Sequence, residues 1–376
     1  MSQRGGRAMR LRGLVRKEFL QIRRDPSSIA IAFVLPVFLL LLFGYGVTLD
    51  ARHVPLALMV ENPTALTADF TGSFFRSEYF EPRHYTDMPS ARRAMLRGDI
   101  DGILYLRSNF GTSYQSSRGA PVQLIVNGVN ANTARLVQGY VTGVWVQWLQ
   151  QHSEAAGVEF RIPVELEQRV WFNAELRSTN FLVPGLIAVI MTLIGALLTA
   201  LVVAREWERG TMEALMATPV AIGEILMSKI IPYFILGMGG MALSVAMGVW
   251  QFDVPLRGSV GALFLGASLF LLVSLGMGLM ISTVARNQFV AGQIAIIVTF
   301  LPAFILSGFI FEIGSMPVAV QVITHIVPAR YFVALLQTGF LAGDIWSVYW
   351  PNMLALLLMA AFFLGRTRRI SRKRLD

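Results

Sequence analysis

The sequence of 376 residues is 55% hydrophobic and only 15% charged, and it contains no cysteine. Soluble domains carry roughly 25% charged residues, so water is not the main solvent of this chain. The missing cysteines exclude disulfides, thiolate metal sites and cysteine nucleophiles. The net charge of +9 does not indicate nucleic-acid binding, because the arginines lie beside apolar runs without the interleaved aromatic residues that stack on bases.

The sequence contains no pattern of an enzyme site. The four histidines form no pair at metal-binding spacing, and neither GxSxG nor HExxH occurs, which argues against a membrane hydrolase. No GxxxxGK[ST] loop is present, and none of the three lysines, Lys17, Lys229 and Lys373, follows a glycine. We therefore expect a chain that is not an enzyme and has no cofactor of its own. Any ATP and Mg would be bound by a partner.

The N-terminal segment, 1–28, predicts an amphipathic helix that lies in the membrane interface and ends at Asp25-Pro26. Apolar residues recur there at helical spacing, and basic residues occupy the remaining positions. A plain positively charged anchor is the alternative. The apolar positions are Leu11, Leu14, Val15, Phe19 and Ile22, and the basic ones are Arg12, Arg16, Lys17, Arg23 and Arg24.

Six charge-free runs are long enough to cross a bilayer as helices. The first follows the arginine-rich segment and shows no A-x-A cleavage site, so we interpret it as a retained anchor. The runs are Ile29 to Leu49, Phe181 to Ala204, Ile230 to Phe252, Gly258 to Ala285, Asn287 to Phe311 and Val348 to Gly365.

Arginine and lysine near span ends stay on the cytoplasmic side. Residues 1–28 hold eight basic and two acidic residues, and the tail 366–376 holds six and one. The segment 50–180 holds twelve basic and thirteen acidic residues. We therefore predict a multi-pass protein of the bacterial inner membrane with both termini in the cytoplasm and 50–180 outside it.

The segment 50–180 is long enough for an α/β domain. Three β-rich runs are bounded by Pro, Gly and Asn, and two segments read as helices. We expect the apolar side of the second helix, from Val137 to Trp148, to face the core. An extracytoplasmic domain of this kind suggests substrate handling or docking of an external partner. The strands are Val54 to Val60, Gly102 to Leu106 and Val122 to Val126, and the helices are Ser90 to Arg97 and Thr133 to Gln151.

Two further segments interrupt the apolar pattern. Charges crowd the loop 205–229, where we predict a short charged helix, ended by Thr218-Pro219, that serves as a docking surface. A solvated interfacial turn is the alternative. The apolar stretch 309–346 is broken by charges and prolines, which favours a re-entrant or interfacial pair of short helices.

The six runs contain no Asp, Glu, His, Lys or Arg. Ion-coupled carriers usually place such residues inside their spans, so the pattern disfavours proton coupling, although sodium sites built from carbonyls and hydroxyls stay open. We expect the driving force to enter from the inner face through an ATPase partner.

The ordered motifs resemble the permease of ABC-2 type transporters, and among these the long-loop exporters that work with a membrane-fusion protein. The segments that carry the resemblance are RKEFLQIRRDP (Arg16 to Pro26), EWERGTMEALMATP (Glu206 to Pro219), EILMSKIIPY (Glu224 to Tyr233), LSGFIFEIGSMP (Leu306 to Pro317), HIVPARYF (His325 to Phe332) and APVQLIVNGVNANTA (Ala120 to Ala134). An ABC-2 transmembrane domain would cover about 135–374, including the spans within 181–365.

The resemblance implies roles for three groups of residues. It implies a cytoplasmic connecting helix, a coupling helix that docks on the ATPase, and an external re-entrant gate. The connecting helix contains Arg16, Lys17, Glu18, Phe19, Arg23, Arg24, Asp25 and Pro26. The coupling helix contains Arg205, Glu206, Glu208, Arg209, Gly210, Thr211 and Glu213. The gate contains Leu306, Ser307, Gly308, Glu312, Pro317, Pro328, Arg330 and Tyr331.

The resemblance further implies a dimer of two permease chains, identical or not, with ABC ATPase subunits and a periplasmic membrane-fusion protein. It would export a drug-like, amphipathic or lipidic substrate by alternating access. We expect charge reversal at Glu206 and Glu213 to prevent ATPase docking. The alternatives are a membrane-anchored extracytoplasmic binding or assembly protein and an ion-coupled secondary transporter. A neighbouring gene for an ATPase would favour the exporter over the anchored protein.

Overall fold

The computed structural model describes residues 2–46, 53–115, 122–128, 131–155, 177–218 and 220–371. The chain forms two compact units. The membrane unit comprises Met1–Thr48 and Val170–Asp376, and the sheet unit comprises Leu49–Arg169. Pro219, the end of the first predicted span and parts of the segments 50–180 and 366–376 lie outside the described residues.

Within its described residues, the membrane unit contains an N-terminal helix, Ser2–Arg23, and six helices long and apolar enough to cross a membrane. Each of the six predicted runs corresponds to one of these helices, and the second, third and sixth helices are longer than their runs. Spans 1 to 6 are Pro26–Gly46, Ser178–Glu208, Ile222–Trp250, Val260–Ala285, Gln288–Leu306 and Trp346–Ile370.

Shorter helices connect the spans. Thr211–Met216, the loop helix, lies between spans 2 and 3. Between spans 5 and 6, the 3-10 turn Ile313–Ser315 precedes the helices Val318–Thr324 and Pro328–Ala342. These two helices meet at 85°, so the predicted interrupted pair is present. Its position in the membrane stays a prediction.

Span 2 lies at the centre of the membrane unit, because 83% of its most apolar 18-residue stretch is buried. It packs closely on span 4 at Gly278, where a Cβ atom would overlap the Ala196 carbonyl and the Thr199 hydroxyl. Hydroxyls join the same two spans: Thr199 Oγ1 donates to the Leu275 carbonyl at 2.9 Å, and Ser282 Oγ donates to the Ala200 carbonyl at 2.6 Å. Small residues and hydroxyls of this kind let membrane helices approach closely.

The sheet unit has a four-stranded mixed sheet in the order β2-β1-β3-β4. The strands are β1 (Val54–Val60), β2 (Phe80–His84), β3 (Gly102–Leu106) and β4 (Val122–Val126). β1 pairs in parallel with β2 and β3, and β4 runs antiparallel to β3. The helices are Ala65–Phe75, Met88–Arg97, Phe110–Gln115 and Ala131–Ala155.

The two faces of the sheet are covered by different helices. Leu56, Leu58 and Leu104 face a core that includes Trp148 of the long helix, so the predicted apolar side of that helix is confirmed as core. Ala57 and Ile103 pack against Ala91 and Ala94 of helix Met88–Arg97 on the other face. The three predicted strands are confirmed at their predicted bounds, whereas β2 and two helices were not predicted.

Candidate functional site

Four charged side chains form a cluster at one end of spans 2 and 3. The Nζ atom of Lys229 lies 3.0 Å from Glu18 Oε1 and 2.8 Å from Glu206 Oε2. The Nζ atom of Lys17 lies 2.9 Å from Glu206 Oε1 and 3.2 Å from Glu18 Oε1. Two ammonium groups thus bridge two carboxylates, and we call this the ion cluster.

The ion cluster joins three separate helices. Glu18 lies on the face of the N-terminal helix that packs against the bundle, Glu206 lies in the last turn of span 2, and Lys229 lies in the third turn of span 3. The side chains of Glu18, Glu206 and Lys229 are 1–3% exposed, whereas that of Lys17 is 45% exposed. Any displacement of the N-terminal helix relative to spans 2 and 3 must therefore separate buried opposite charges.

The charges in the cluster compensate one another. Burial lowers the pKa of Lys17, but the hydrogen bond and charge of Glu206, together with Glu18, outweigh it, so the Lys17 pKa is raised above its ordinary value. Charges removed from water are expensive unless paired. The lysines therefore pair with both buried carboxylates and donate hydrogen bonds to them.

A second ion pair holds the start of span 1. Asp25 caps this helix, accepting a hydrogen bond from the Ser27 amide at 3.2 Å, and its Oδ2 atom lies 2.7 Å from Arg205 Nη1. Burial alone would raise the Asp25 pKa, but hydrogen bonds from Ser27, Ser28 and Arg205 lower it to about 2. The guanidinium also donates to Gln288 Oε1 at 3.1 Å, so Arg205 connects spans 1, 2 and 5.

Span 2 turns into the loop helix at Gly210, whose φ of +67° is in the left-handed region that favours glycine. The buried side of the loop helix places Met212 in a small core with Val220 and Ile225, against Leu14 of the N-terminal helix. The turn between span 2 and the loop helix is exposed, as is the opposite side of the loop helix. The exposed residues Glu208, Arg209, Gly210, Thr211 and Glu213 are called the loop surface.

The structure corrects the prediction of one short charged helix. Arg205, Glu206 and Glu208 continue span 2, because its helix extends four residues beyond the apolar run. Glu206 is buried in the ion cluster, so charge reversal at Glu206 and Glu213 together would disturb the fold and the surface at once. Of the predicted coupling residues, those of the loop surface are exposed.

Two observations add to the sequence expectations. Phe19, on the predicted apolar stripe of the N-terminal helix, is 40% exposed, whereas its neighbour Glu18 is buried against the bundle. The predicted runs carry no charge, but the helices of spans 2 and 3 extend beyond their runs, and Glu206 and Lys229 are buried near the helix ends. Lys229 contacts Glu18 across 211 positions of sequence.

The structure also identifies site residues that sequence reasoning did not single out. These are Lys229, Ser27, Ser28 and Gln288. A usable signal existed for Lys229, a lone lysine directly before an apolar run.

Several predicted gate residues surround a cavity of about 620 Å³. Ser307, Gly308, Glu312 and Arg330 line it together with Gln337, whereas Leu306, Pro317, Pro328 and Tyr331 do not. Leu306 ends span 5, and Pro317 and Pro328 begin the two bent helices. The Tyr331 hydroxyl donates to the His325 carbonyl at 2.9 Å.

Arg330 is fixed inside this segment. Its Nη1 atom donates to the Gln321 carbonyl at 3.2 Å and also contacts Thr324 Oγ1. These contacts hold the two bent helices together. The segment from Ser307 to Gln337 is therefore internally packed, and the cavity lies beside it.

Comparison with known proteins decides the family. The family model described as ABC-2 family transporter protein matches residues 26–365. The chain belongs to the ABC-2 family of transporter proteins. This permease is 45% identical to the probable multidrug ABC transporter permease YbhS of Escherichia coli strain K12, over 98% of both chains. It is 30% identical to the probable multidrug ABC transporter permease YbhR of that strain, over 94% of this chain and 95% of YbhR. The inner membrane transport permease YhhJ is 28% identical over 82% of each chain.

Among the described residues of this ABC-2 permease, no group of three or more His, Asp or Glu side chains could hold a metal ion. In the ion cluster, each carboxylate is paired with a lysine, so the cluster joins three helices by charge.

Proposed function

We propose that this chain is the permease subunit of an ATP-driven exporter of the bacterial inner membrane. In this proposal, both termini and the loop surface face the cytoplasm, and an ABC ATPase subunit docks on the loop surface. Two permease chains, identical or paralogous, form the pathway. The sheet unit faces the periplasm, where it meets a membrane-fusion protein.

One observation carries this proposal: the exposed loop surface is attached directly to the buried ion cluster. Gly210 is four residues from Glu206 in sequence, and Thr211 Oγ1 donates to the Glu206 carbonyl at 3.2 Å. A force applied to the loop helix therefore reaches Glu206, and through Lys229 and Glu18 it reaches span 3 and the N-terminal helix. The spans would move as packed bodies between two arrangements, which suits alternating access.

The relatives support the kind of substrate. YbhS and YbhR are named as probable multidrug permeases, and we propose a drug-like, amphipathic or lipidic substrate for this chain. The gate cavity, with Glu312 and Arg330 on its lining, would shape the exit of the pathway on the periplasmic side.

The loop surface can be tested separately from the ion cluster. In the Glu213→Lys variant, we expect at least about tenfold weaker co-purification with the ATPase, because a reversed charge at an interface repels its partner group. Export should fall in parallel. Glu81→Lys is the matched control, because Glu81 is an exposed carboxylate of the sheet unit. Unchanged ATPase binding and export in Glu213→Lys would refute the docking role.

The buried carboxylates favour a second candidate, an ion-coupled transporter, because titratable groups buried in spans are typical of proton pathways. Each carboxylate of the ion cluster is, however, paired with a lysine, and we rank this candidate second. Export from proteoliposomes that contain the permease alone, driven by a proton gradient, would establish it and overturn the first.

A further inference from the structure

A groove of about 690 Å³ runs between the N-terminal helix, span 1 and span 3. Its walls are apolar apart from two arginines, Arg16 and Arg23. Both are exposed, and neither guanidinium is paired with a carboxylate within the described part of the chain. The apolar lining includes Phe19, Leu20, Ile29, Phe33, Ile235 and Leu236.

The arginines are placed regularly on their helix. Arg16 and Arg23 are seven positions apart, so they share a face about 10 Å apart along the axis. Phe19 and Leu20 lie between them on that same face, 40% and 44% exposed. An interfacial helix usually directs apolar side chains toward acyl chains and arginines toward headgroups. The exposed Phe19 and Leu20 are explained if acyl chains cover them.

The spans form the apolar floor of the groove. Ile29 and Ile235 are 38% and 54% exposed, and Gly239 opens the floor beside Phe33, because a Cβ there would lie 3.2 Å from the Phe33 ring. The groove therefore offers two cations next to an apolar slot. A molecule that matches this order has a negative headgroup joined to a hydrocarbon chain.

We infer that the groove is a binding site for an anionic phospholipid, with its phosphate between Arg16 and Arg23 and one acyl chain along Ile29, Phe33 and Ile235. Charge complementarity selects an anionic lipid over a zwitterionic one, because each unpaired arginine near the membrane surface favours the anion about fivefold. The bound lipid fills the space beside the helix that carries Glu18 and Lys17. It thereby stabilises the N-terminal helix against the bundle.

The test uses the full chain in phosphatidylcholine vesicles with a photoactivatable phosphatidylglycerol or a photoactivatable phosphatidylcholine probe, followed by mass spectrometry of the labelled peptides. We expect the phosphatidylglycerol probe to label 16–23 and 232–239 at least about fivefold more than the other probe. In Arg16→Gln/Arg23→Gln this preference should disappear.

The matched control is Arg12→Gln/Arg24→Gln, which removes the same charge from exposed positions outside the groove of the same helix. It should keep the preference. A second variant, Ile235→Trp, blocks the slot without changing charge and should lower labelling by both probes. The inference fails if both probes label the groove equally, if the control loses as much preference as the groove variant, or if neither probe labels it because protein covers it.

Discussion

At the residue scale, the ion cluster explains why three charges are buried in so apolar a protein. Glu18, Glu206 and Lys229 each have an opposite charge within 3.0 Å. A buried pair contributes little net stability compared with apolar residues of the same volume, but removal of one partner leaves an uncompensated charge. The cluster therefore specifies the position of the N-terminal helix more than it adds to total stability.

Lys229→Met should be strongly destabilising, because it leaves two buried carboxylates with only the half-exposed Lys17 to neutralise them. We expect a loss of about 3–5 kcal/mol of unfolding free energy, measured by denaturation of the purified chain in detergent. Lys17→Met is the control and should cost about 1 kcal/mol or less, because solvent screens this side chain.

The double variant Glu18→Gln/Lys229→Met makes the same prediction more specific. It keeps the Lys17–Glu206 pair, whose atoms are 2.9 Å apart, and removes one positive and one negative charge. It should therefore be more stable than Lys229→Met alone. If the double variant is no more stable than Lys229→Met, the four charges do not act as one cluster.

The Asp25–Arg205 pair gives a pH prediction. The Asp25 pKa is lowered from 3.8 to about 2, so its contribution to stability is fully present above about pH 4 and is lost as pH falls toward 2. The stability difference between wild type and Asp25→Asn should stay constant from pH 5 to pH 8 and shrink below pH 4. A difference that changes around neutral pH, by the same denaturation assay, would show that another group carries it.

Sequence reasoning reached these residues only in part. Asp25, Arg205, Glu206 and Glu18 were selected through the family resemblance, and nothing in their local pattern shows that Glu18 is buried. From sequence alone, a charged residue on an amphipathic helix is interpreted as solvated unless its partner is known. Lys229, the partner, belongs to a different helix.

At the element scale, helices that continue past their apolar runs bring charges into the bundle. Span 2 ends at Glu208 and span 3 begins at Ile222, so each contributes a charged turn to the ion cluster. Hydropathy identified the spans because every run is a charge-free stretch within the length range of membrane helices. It could not place the end of span 2 or the start of span 3, since ion pairs hold charged residues in those turns.

The sheet illustrates the same limit. β1, β3 and β4 are apolar and flanked by turn residues, and the sequence predicted them. β2, FEPRH, is an edge strand with one proline and mostly exposed polar residues. Such a strand lacks the alternation or apolar run by which strands are recognised. Only its pairing with β1 makes it a strand.

The contact between spans 2 and 4 can be tested at Gly278. Gly278→Ala would force the Cβ into the Ala196 carbonyl and the Thr199 hydroxyl, and we expect a loss of about 1–3 kcal/mol from overpacking. Gly261→Ala is the control on the same span, because nothing lies within 4 Å of a Cβ there. It should be neutral or slightly stabilising. Similar melting temperatures for the two variants would contradict the close approach.

At the scale of the whole molecule, the chain consists of two compact units with different features. The membrane unit holds the ion cluster, the loop surface and the gate cavity, and the sheet unit has its own core of Phe70, Phe110 and Trp148. Composition and the positions of the runs predicted this division, since a segment of about 130 residues can fold independently. The family match over 26–365 extends through both units.

The most direct measurement is a cross-link from the loop surface to the ATPase partner. The chain has no cysteine, so Glu213→Cys introduces a single reactive thiol on the exposed side of the loop helix. Arg107→Cys is the matched control, an exposed position of the sheet unit. In membranes that contain the complete transporter, a thiol-reactive photo-cross-linker at position 213 should capture the ATPase, and the same reagent at position 107 should not. Capture at 107 but not at 213, or labelling of position 213 in intact cells by a membrane-impermeant thiol reagent, would contradict docking of the ATPase at the loop surface.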